Sequence, residues 1–579
     1  MGDHPYNSPA ELRARMLEVV SKNGGHLASS LGAVEIAMSL AEVFEPEKDR
    51  VVWDVGHQAY AWKMLTGRDD RFDTLRKLGG ISGFPNPAES KADAAVAGHA
   101  GVALSVALGL AAARDRKGTD ENVIAVIGDA SMANGVSLEA LNNCATATSK
   151  VIVVLNDNEM SISRPTGSFA RLLGRLISGV RYNRVKLAAE RAGHAMKLTF
   201  LRGIYHGLES RIKSLFLGNR FFEQFGLRYI GPIDGHDLEA LCDAFTVAKE
   251  DKRSVLVHVV TKKGYGYAPA EKNPTKWHGV GPFDIVPSNA PDAAAPSGKS
   301  WSDAFGSMLV DAAKDDRRVV ALTAAMKDGT GLVDFAKEFP GRFFDVGIAE
   351  EHMVAFAAGL AAGGMRPVVA VYSTFLQRSI DQMMHDVCLP GLPVVICVDR
   401  AGVVGADGAT HQGVFDIAML RCLPNLTICQ PKDEEDLRLL LDEALARRGP
   451  TVIRYPRGRV PSHVEPFDGE GGRIAIWATG DWLEKANEVA KAVRGAEVVH
   501  ARYIKPFDSD TLARQRALGM RIVSLENGSV AGGLGEAIGA DLKFGWPDSF
   551  VPHGQQAELE RRFSLDAASI ARKILETYG

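Results

Sequence analysis

Short unbroken apolar runs alternate along this chain with longer stretches in which apolar residues recur at helical spacing. Val123-Ile124-Ala125-Val126-Ile127 and Val151-Ile152-Val153-Val154-Leu155 contain no polar position, the pattern of parallel strands covered on both faces. Asp433 to Ala446 instead shows a helical period. The alternation predicts an α/β fold of parallel or mixed sheets flanked by helices. Punctuation predicts the domains. Ile285 to Lys299 is rich in Pro, Ala, Ser and Asp without periodicity and reads as a linker. Gly458 to Gly472 carries Pro461, Pro466 and several glycines before a fresh strand pattern at Ile474-Ala475-Ile476-Trp477. Domains are therefore expected over 1–290, 298–460 and 472–579. No sequence repeat is evident.

Composition narrows the class. A length of 579 residues suits three or four domains, and a net charge of -4 gives no support to a nucleic-acid partner. The six cysteines show no Cys-x-x-Cys spacing and read as reduced packing residues. Met1 to Arg15 has acidic residues and no apolar core, so no signal peptide is expected. The longest small-apolar run, Ala100 to Ala113, is too short for a membrane span. A cytoplasmic enzyme with no membrane partner is expected. Arg164 to Arg220 is strongly basic, which solvated helix faces or contact with an anionic partner would both explain; no chemistry is assigned to it.

Candidate chemistry begins where the two apolar runs end. Gly128-Asp129-Ala130-Ser131 and Asn156-Asp157-Asn158-Glu159-Met160 follow them directly, with Asp129 and Asn158 29 positions apart. Either run alone is a common turn. Together they offer one carboxylate and one amide oxygen at neighbouring strand ends, hard donors suited to Mg²⁺ or Ca²⁺ that keeps other positions for phosphate oxygens.

Further runs extend the pattern: Gly24-Gly25-His26-Leu27-Ala28-Ser29-Ser30-Leu31-Gly32, Trp53-Asp54-Val55-Gly56-His57-Gln58-Ala59-Tyr60, Gly231-Pro232-Ile233-Asp234-Gly235-His236-Asp237, and Asp345-Val346-Gly347-Ile348-Ala349-Glu350-Glu351-His352. After these come Tyr372-Ser373-Thr374-Phe375-Leu376-Gln377-Arg378, Asp399-Arg400-Ala401-Gly402, Gly405 to Gly413, and Tyr455-Pro456-Arg457-Gly458. In this order, from about Ala10 to the C-terminus, they resemble the 1-deoxy-D-xylulose-5-phosphate synthases, thiamine-diphosphate enzymes of the transketolase superfamily. The resemblance implies a transketolase-like fold and a homodimer, with one domain gripping the diphosphate and another the pyrimidine. It implies thiamine diphosphate and Mg²⁺ as cofactors, and pyruvate and D-glyceraldehyde 3-phosphate as substrates. Pyruvate would lose CO₂ to leave an enamine-carbanion that attacks the aldehyde, giving 1-deoxy-D-xylulose 5-phosphate for isoprenoid, thiamine and pyridoxine synthesis.

Roles follow from the same resemblance. Asp129, Asn158 and Met160 would ligate the metal. His57, His99, Gly101, Ala130, Ser131, Asn158 and Tyr267 would line the cofactor, with Phe375 against its pyrimidine and Glu350 bonded to the ring nitrogen. His26, His278 and His411 would handle keto-acid and ketol oxygens, and Asp407 the acceptor hydroxyls. Tyr372, Arg378, Arg400 and Arg457 would surround the acceptor phosphate, arginine forks fixing its orientation. Taken singly, each of these histidines reads as an ordinary structural residue.

The chain departs from the family pattern on the diphosphate side. Ala130 stands where the family has the second glycine of Gly-Asp-Gly; a positive φ there would cost about 1–2 kcal/mol. Ala100 and Gly101 follow His99 where hydroxyl residues are usual, removing bonds worth about 0.5–1.5 kcal/mol each. Thr323-Ala324-Ala325-Met326 lacks the usual proline. Three readings remain open from sequence: a synthase of this family, a related carboligase or transketolase with another donor or acceptor, and a noncatalytic relative acting as a binding or regulatory subunit.

Overall fold

The computed structural model describes residues 6–158, 168, 219–285, 298–469 and 472–579. Met160 and nearly all of the expected linker and basic segment lie outside these residues. The chain forms two compact units, Met1–Arg76 with Gly80–Asp292, and Lys77–Gly79 with Ala293–Gly579.

The first unit is built on a parallel sheet of β1 (Arg50–Trp53), β2 (Val123–Gly128), β3 (Ile152–Asp157), β4 (Arg228–Asp234) and β5 (Val255–Val260), in the order β1-β2-β3-β5-β4. Successive side chains on a strand point to opposite faces. Ile124, Val126, Ile152, Val154 and Val257 accordingly enter one core, and Ala125, Ile127, Val153, Leu155 and Leu256 enter another on the opposite side. Helices cover both faces, which is why residues 123–127 of β2 and 152–155 of β3 carry no polar position. Each fully buried valine, leucine or isoleucine contributes about 1.5–3 kcal/mol.

The second unit holds two sheets. β6 (Val319–Thr323), β7 (Phe343–Asp345), β8 (Arg366–Tyr372), β9 (Val395–Asp399), β10 (Thr427–Cys429) and β11 (Thr451–Arg454) join β14 (Tyr503–Lys505) in the order β14-β10-β11-β9-β8-β6-β7. Every pairing is parallel except β10 with β14, so this sheet is mixed. β12 (Ile474–Ala478), β13 (Ala496–His500), β15 (Arg521–Ser529) and β16 (Leu542–Trp546) form a parallel sheet ordered β13-β12-β15-β16. β14 follows β13 in the chain yet pairs with the other sheet. The parallel and mixed sheets expected from the hydrophobic pattern are present. Among the described residues no helix is long and apolar enough to cross a membrane.

Candidate active site

In the first unit the polar residues of interest gather at the carboxyl ends of the strands, where open α/β sheets bind ligands. β1 runs into buried Asp54, whose carboxylate accepts the backbone amides of Gly101 at 2.9 Å and Ala103 at 3.0 Å. These bonds fasten the loop after His99 and satisfy the start of the helix Ala103–Lys117, whose first amides lack partners within the helix. β2 ends at Gly128 and Asp129 opens the short helix Asp129–Met132. Gly128 is in register with Asn156, so Asp129 and Asn158 extend from adjacent strand ends.

Asp129 is 6 % exposed; burial, aided by the Asp157 charge, pushes its pKa up to about 7. Burial lowers Lys263 to about 8, against the pull of Asp129. Asp157 turns to a partner of its own, lying 3.0 Å from His258 Nε2, while His258 Nδ1 lies 2.7 Å from the Tyr229 hydroxyl. Asp129 thus lies near the charges of both Asp157 and Lys263, and a divalent cation would favour its ionised form. The Asp129 carboxylate and Asn158 amide are oxygen donors of the kind Mg²⁺ takes. The donor set fits a metal-bound diphosphate.

Three histidines converge in the same unit. Ring centroids of His26 and His57 are 5.6 Å apart, His26 and His278 5.3 Å, and His57 and His278 5.2 Å. Arg76 donates to His26 Nδ1 at 2.8 Å, and the Ser29 hydroxyl stands 3.3 Å from His278 Nδ1. Tyr267 packs edge-on to Trp277. Ser131 is buried in the short helix that Asp129 opens.

The departures on this side have distinct structural consequences. Ala130 is helical and has no positive φ, so the strain considered for a side chain there is absent. Gly101 has φ +85°, and a Cβ on it would stand 2.3 Å from Asn134 Oδ1. Glycine takes that backbone conformation without strain.

In the second unit Glu350 opens the helix Glu350–Ala362 after β7 and a turn through Gly347 at φ +75°. Glu350 is 3 % exposed, and burial raises its pKa against the opposing charge of Arg378. Arg378 Nη1 stands 3.4 Å from Glu350 Oε2. Arg378, expected beside the acceptor phosphate, thus also faces this carboxylate. Its neighbour Glu351 is half-buried.

The remaining residues of this unit form one linked group. The Tyr372 ring stacks on Phe375 at 5.9 Å, and Phe375 meets His411 edge-on at 5.6 Å. Arg400 adopts φ +57°, costly for a side chain, and its guanidinium lies 3.9 Å over the Tyr372 ring. Arg457 Nη1 is 3.6 Å from Asp407 Oδ2, and the Thr410 hydroxyl is 2.9 Å from His411 Nδ1. Behind Arg400, buried Asp399 accepts the Ser302 hydroxyl at 2.6 Å, with burial raising its pKa to about 6.

Sequence reasoning passed over Asp54, Arg76, Lys263 and Asp399. Asp54, Lys263 and Asp399 each end or closely follow an apolar strand, the same signal that singled out Asp129. Arg76 carries no comparable signal; its contact with His26 spans 50 positions.

Comparison with known proteins bears on the whole chain. Residues 6–261 match a family model described as 1-deoxy-D-xylulose-5-phosphate synthase, 297–462 one for the transketolase pyrimidine-binding domain, and 466–570 one for the transketolase C-terminal domain. The chain is 45% identical over 599 residues to 1-deoxy-D-xylulose-5-phosphate synthase 1 of Geobacter metallireducens, covering 98% of this chain and 95% of that one. It is 44% identical over 597 residues to the synthase of Clostridium kluyveri, covering 98% and 94%. It is 45% identical over 606 residues to that of Oleidesulfovibrio alaskensis, again covering 98% and 94%.

Proposed function

The chain belongs to the 1-deoxy-D-xylulose-5-phosphate synthase family, and from that premise we propose how its residues divide the chemistry. The reaction condenses pyruvate with D-glyceraldehyde 3-phosphate, releasing CO₂ and giving 1-deoxy-D-xylulose 5-phosphate. Thiamine diphosphate, when bound, supplies the nucleophilic carbon and holds the electron pair left by decarboxylation.

The observation that carries the assignment is Glu350, a buried carboxylate at a helix start whose burial raises its pKa. Such a group both holds and returns a proton at a ring nitrogen, the requirement for activating the cofactor's pyrimidine. Phe375 supplies a flat apolar partner to that ring. Asp129 and Asn158 hold Mg²⁺, with Met160 completing the set, and His57, His99, Gly101, Ala130, Ser131 and Tyr267 line the cofactor.

Substrate groups are divided by charge. His26 and His278 donate to the keto-acid oxygens, and His411 handles the oxygen that becomes the new hydroxyl. Asp407 accepts from the acceptor hydroxyls. Arg400 and Arg457 bind its phosphate with Tyr372 and Arg378, so Arg378 serves two anions, the phosphate and Glu350. Domains are assigned to 1–290, 298–460 and 472–579. A homodimer in the cytoplasm completes the reading, which the six free cysteines suit.

Calorimetric titration with thiamine diphosphate, with and without Mg²⁺, tests the cofactor assignment. Release of CO₂ from pyruvate, with and without D-glyceraldehyde 3-phosphate, tests the reaction. Metal-dependent binding and acceptor-dependent CO₂ release are expected; binding with no CO₂ release under either condition would overturn the assignment. Sedimentation equilibrium tests the dimer, and a monomer at micromolar concentration would exclude it.

A further inference from the structure

A buried polar chain in the second unit leads from the seven-stranded sheet, through the four-stranded one, to the loop that carries Arg400, Asp407 and His411. Arg454 on β11 pairs with Asp416 at 3.1 Å and donates from Nη1 to the Gln430 side-chain oxygen. A guanidinium only donates, so it fixes which end of the Gln430 amide faces it. The Gln430 Nε2 is thereby directed to Asp481, which accepts it on Oδ1 and accepts Asn527 Nδ2 on Oδ2 at 2.6 Å. That bond orients the Asn527 amide in turn. Its Oδ1 then accepts Trp546 Nε1 at 2.8 Å and the backbone N–H of Val403 at 3.2 Å.

The loop is shaped to receive this amide. Gly402 has φ +84°, and a Cβ there would stand 2.1 Å from Asn527 Nδ2, so backbone and amide lie in direct contact. Gly402 and Gly413 exchange amide-to-carbonyl bonds of 2.7 Å, closing the base of the loop. Inside it, Gln412 Oε1 accepts the Val404 N–H at 2.7 Å. Asp407 and His411 thus ride on a closed loop whose base meets β15 at Asn527, beside Gly402 and Val403, and at Ser529, whose N–H donates to the Val414 carbonyl at 2.8 Å.

We propose that Asn527 is a positioning residue for acceptor binding, through which the four-stranded sheet fixes the placement of Arg400, Asp407 and His411. The proposal rests on the reading of those three as acceptor-binding groups. Asn527 touches no substrate in this role; it acts through the Val403 and Gly402 backbone.

The direction of the chain supplies the test. Asn527→Asp removes the donor to Asp481 and sets carboxylate against carboxylate, while Asp481→Asn sets two amide donors against each other. Combined, the two changes exchange amide and carboxylate: the new amide at 481 donates to the new carboxylate at 527, and every other partner keeps its acceptor. In the full chain with thiamine diphosphate and Mg²⁺, each single variant should raise KM for D-glyceraldehyde 3-phosphate about tenfold, the usual effect of one misdirected buried hydrogen bond. KM for pyruvate and the cofactor dissociation constant should move by less than about threefold, and the double variant should recover the acceptor KM.

Loss of thermal stability or kcat with an unmoved acceptor KM would show a merely structural network and overturn the proposal. A double variant no better than the singles would also overturn it. If Asn527→Asp does not fold, Gly402→Ala, which presses on the same amide from the loop side, must raise the same KM for the proposal to stand. Wild-type chain lacking acceptor-dependent CO₂ release would instead sink the functional reading beneath it, an outcome seen before any variant is made.

Discussion

Arg76 donates from Nη2 to His26 Nδ1 at 2.8 Å and from Nε to the Tyr60 hydroxyl at 3.0 Å. Because a guanidinium has no acceptor, His26 Nδ1 carries no proton in this arrangement and Nε2 carries it. The Tyr60 hydroxyl, held by Arg76, also receives the backbone N–H of His26 at 3.1 Å. Arg76 therefore presets His26 as a hydrogen-bond donor from Nε2. Replacing it with Gln should let both tautomers populate, seen as averaged imidazole nitrogen shifts by NMR, and should lower kcat about tenfold or more. A single unchanged tautomer in that variant would assign His26 orientation to other contacts.

Glu350→Gln should nearly abolish turnover while thiamine diphosphate binding stays within about tenfold of wild type. An amide keeps the hydrogen bond and loses the negative charge that stabilises the protonated ring. The change also removes the negative charge that Arg378 faces at 3.4 Å, so the variant should bind the acceptor phosphate no more weakly. Turnover and cofactor titration are read on the same preparation, and ordinary turnover would take Glu350 out of its role.

The acid range tests Asp129. Its pKa is raised from 3.8 to about 7, so the folded chain holds a proton there that the unfolded chain releases. The stability this provides is full below about pH 3.8 and is lost as pH rises through about 7. Metal binding runs the other way, since Mg²⁺ must displace that proton. Apparent Mg²⁺ affinity should fall about tenfold per unit as pH drops below 7. Asp129→Asn should make the ligand-free chain more resistant to heat at pH 8 and remove stabilisation by Mg²⁺ with cofactor. Equal protection of both proteins by that mixture, measured by thermal unfolding, would place the metal elsewhere.

The strands were legible because burial on both faces leaves a signature in a single run of residues, as alternate positions of β2 and β3 entering opposite cores illustrate. Strand ends were legible for the same reason: Asp129, Asn158 and Arg400 each close an apolar run. What escaped is the set of residues acting across long separations. Asn527 meets Val403 over 124 positions and Asp54 meets Gly101 over 47, and neither bond has a local pattern to betray it. Backbone shape escaped as well. The alanine at 130 suggested a positive φ, yet among the described residues the alanine with a positive φ is Ala325 at +58°, in the run that lacks the usual proline.

That same difference decides how the diphosphate loop responds to change. Ala100 is buried on the loop that Asp54 fastens, and it has no positive φ. Ala100→Ser adds a hydroxyl beside an expected diphosphate without altering the backbone, and should tighten thiamine diphosphate several-fold, the yield of one hydrogen bond to a charged group. Gly101→Ser should do the opposite. At φ +85° a side chain costs about 1–2 kcal/mol from the backbone alone, and its Cβ would meet Asn134 Oδ1 at 2.3 Å. Asn134 cannot yield freely, because that oxygen accepts the Val136 N–H at 3.0 Å and caps the helix Gly135–Ala147. Gly101→Ser should therefore lower the unfolding temperature and weaken cofactor binding, and the two serines together should not sum to a gain. Calorimetric titration beside thermal unfolding distinguishes the cases: tighter binding in Gly101→Ser would mean that the loop rearranges when the diphosphate arrives.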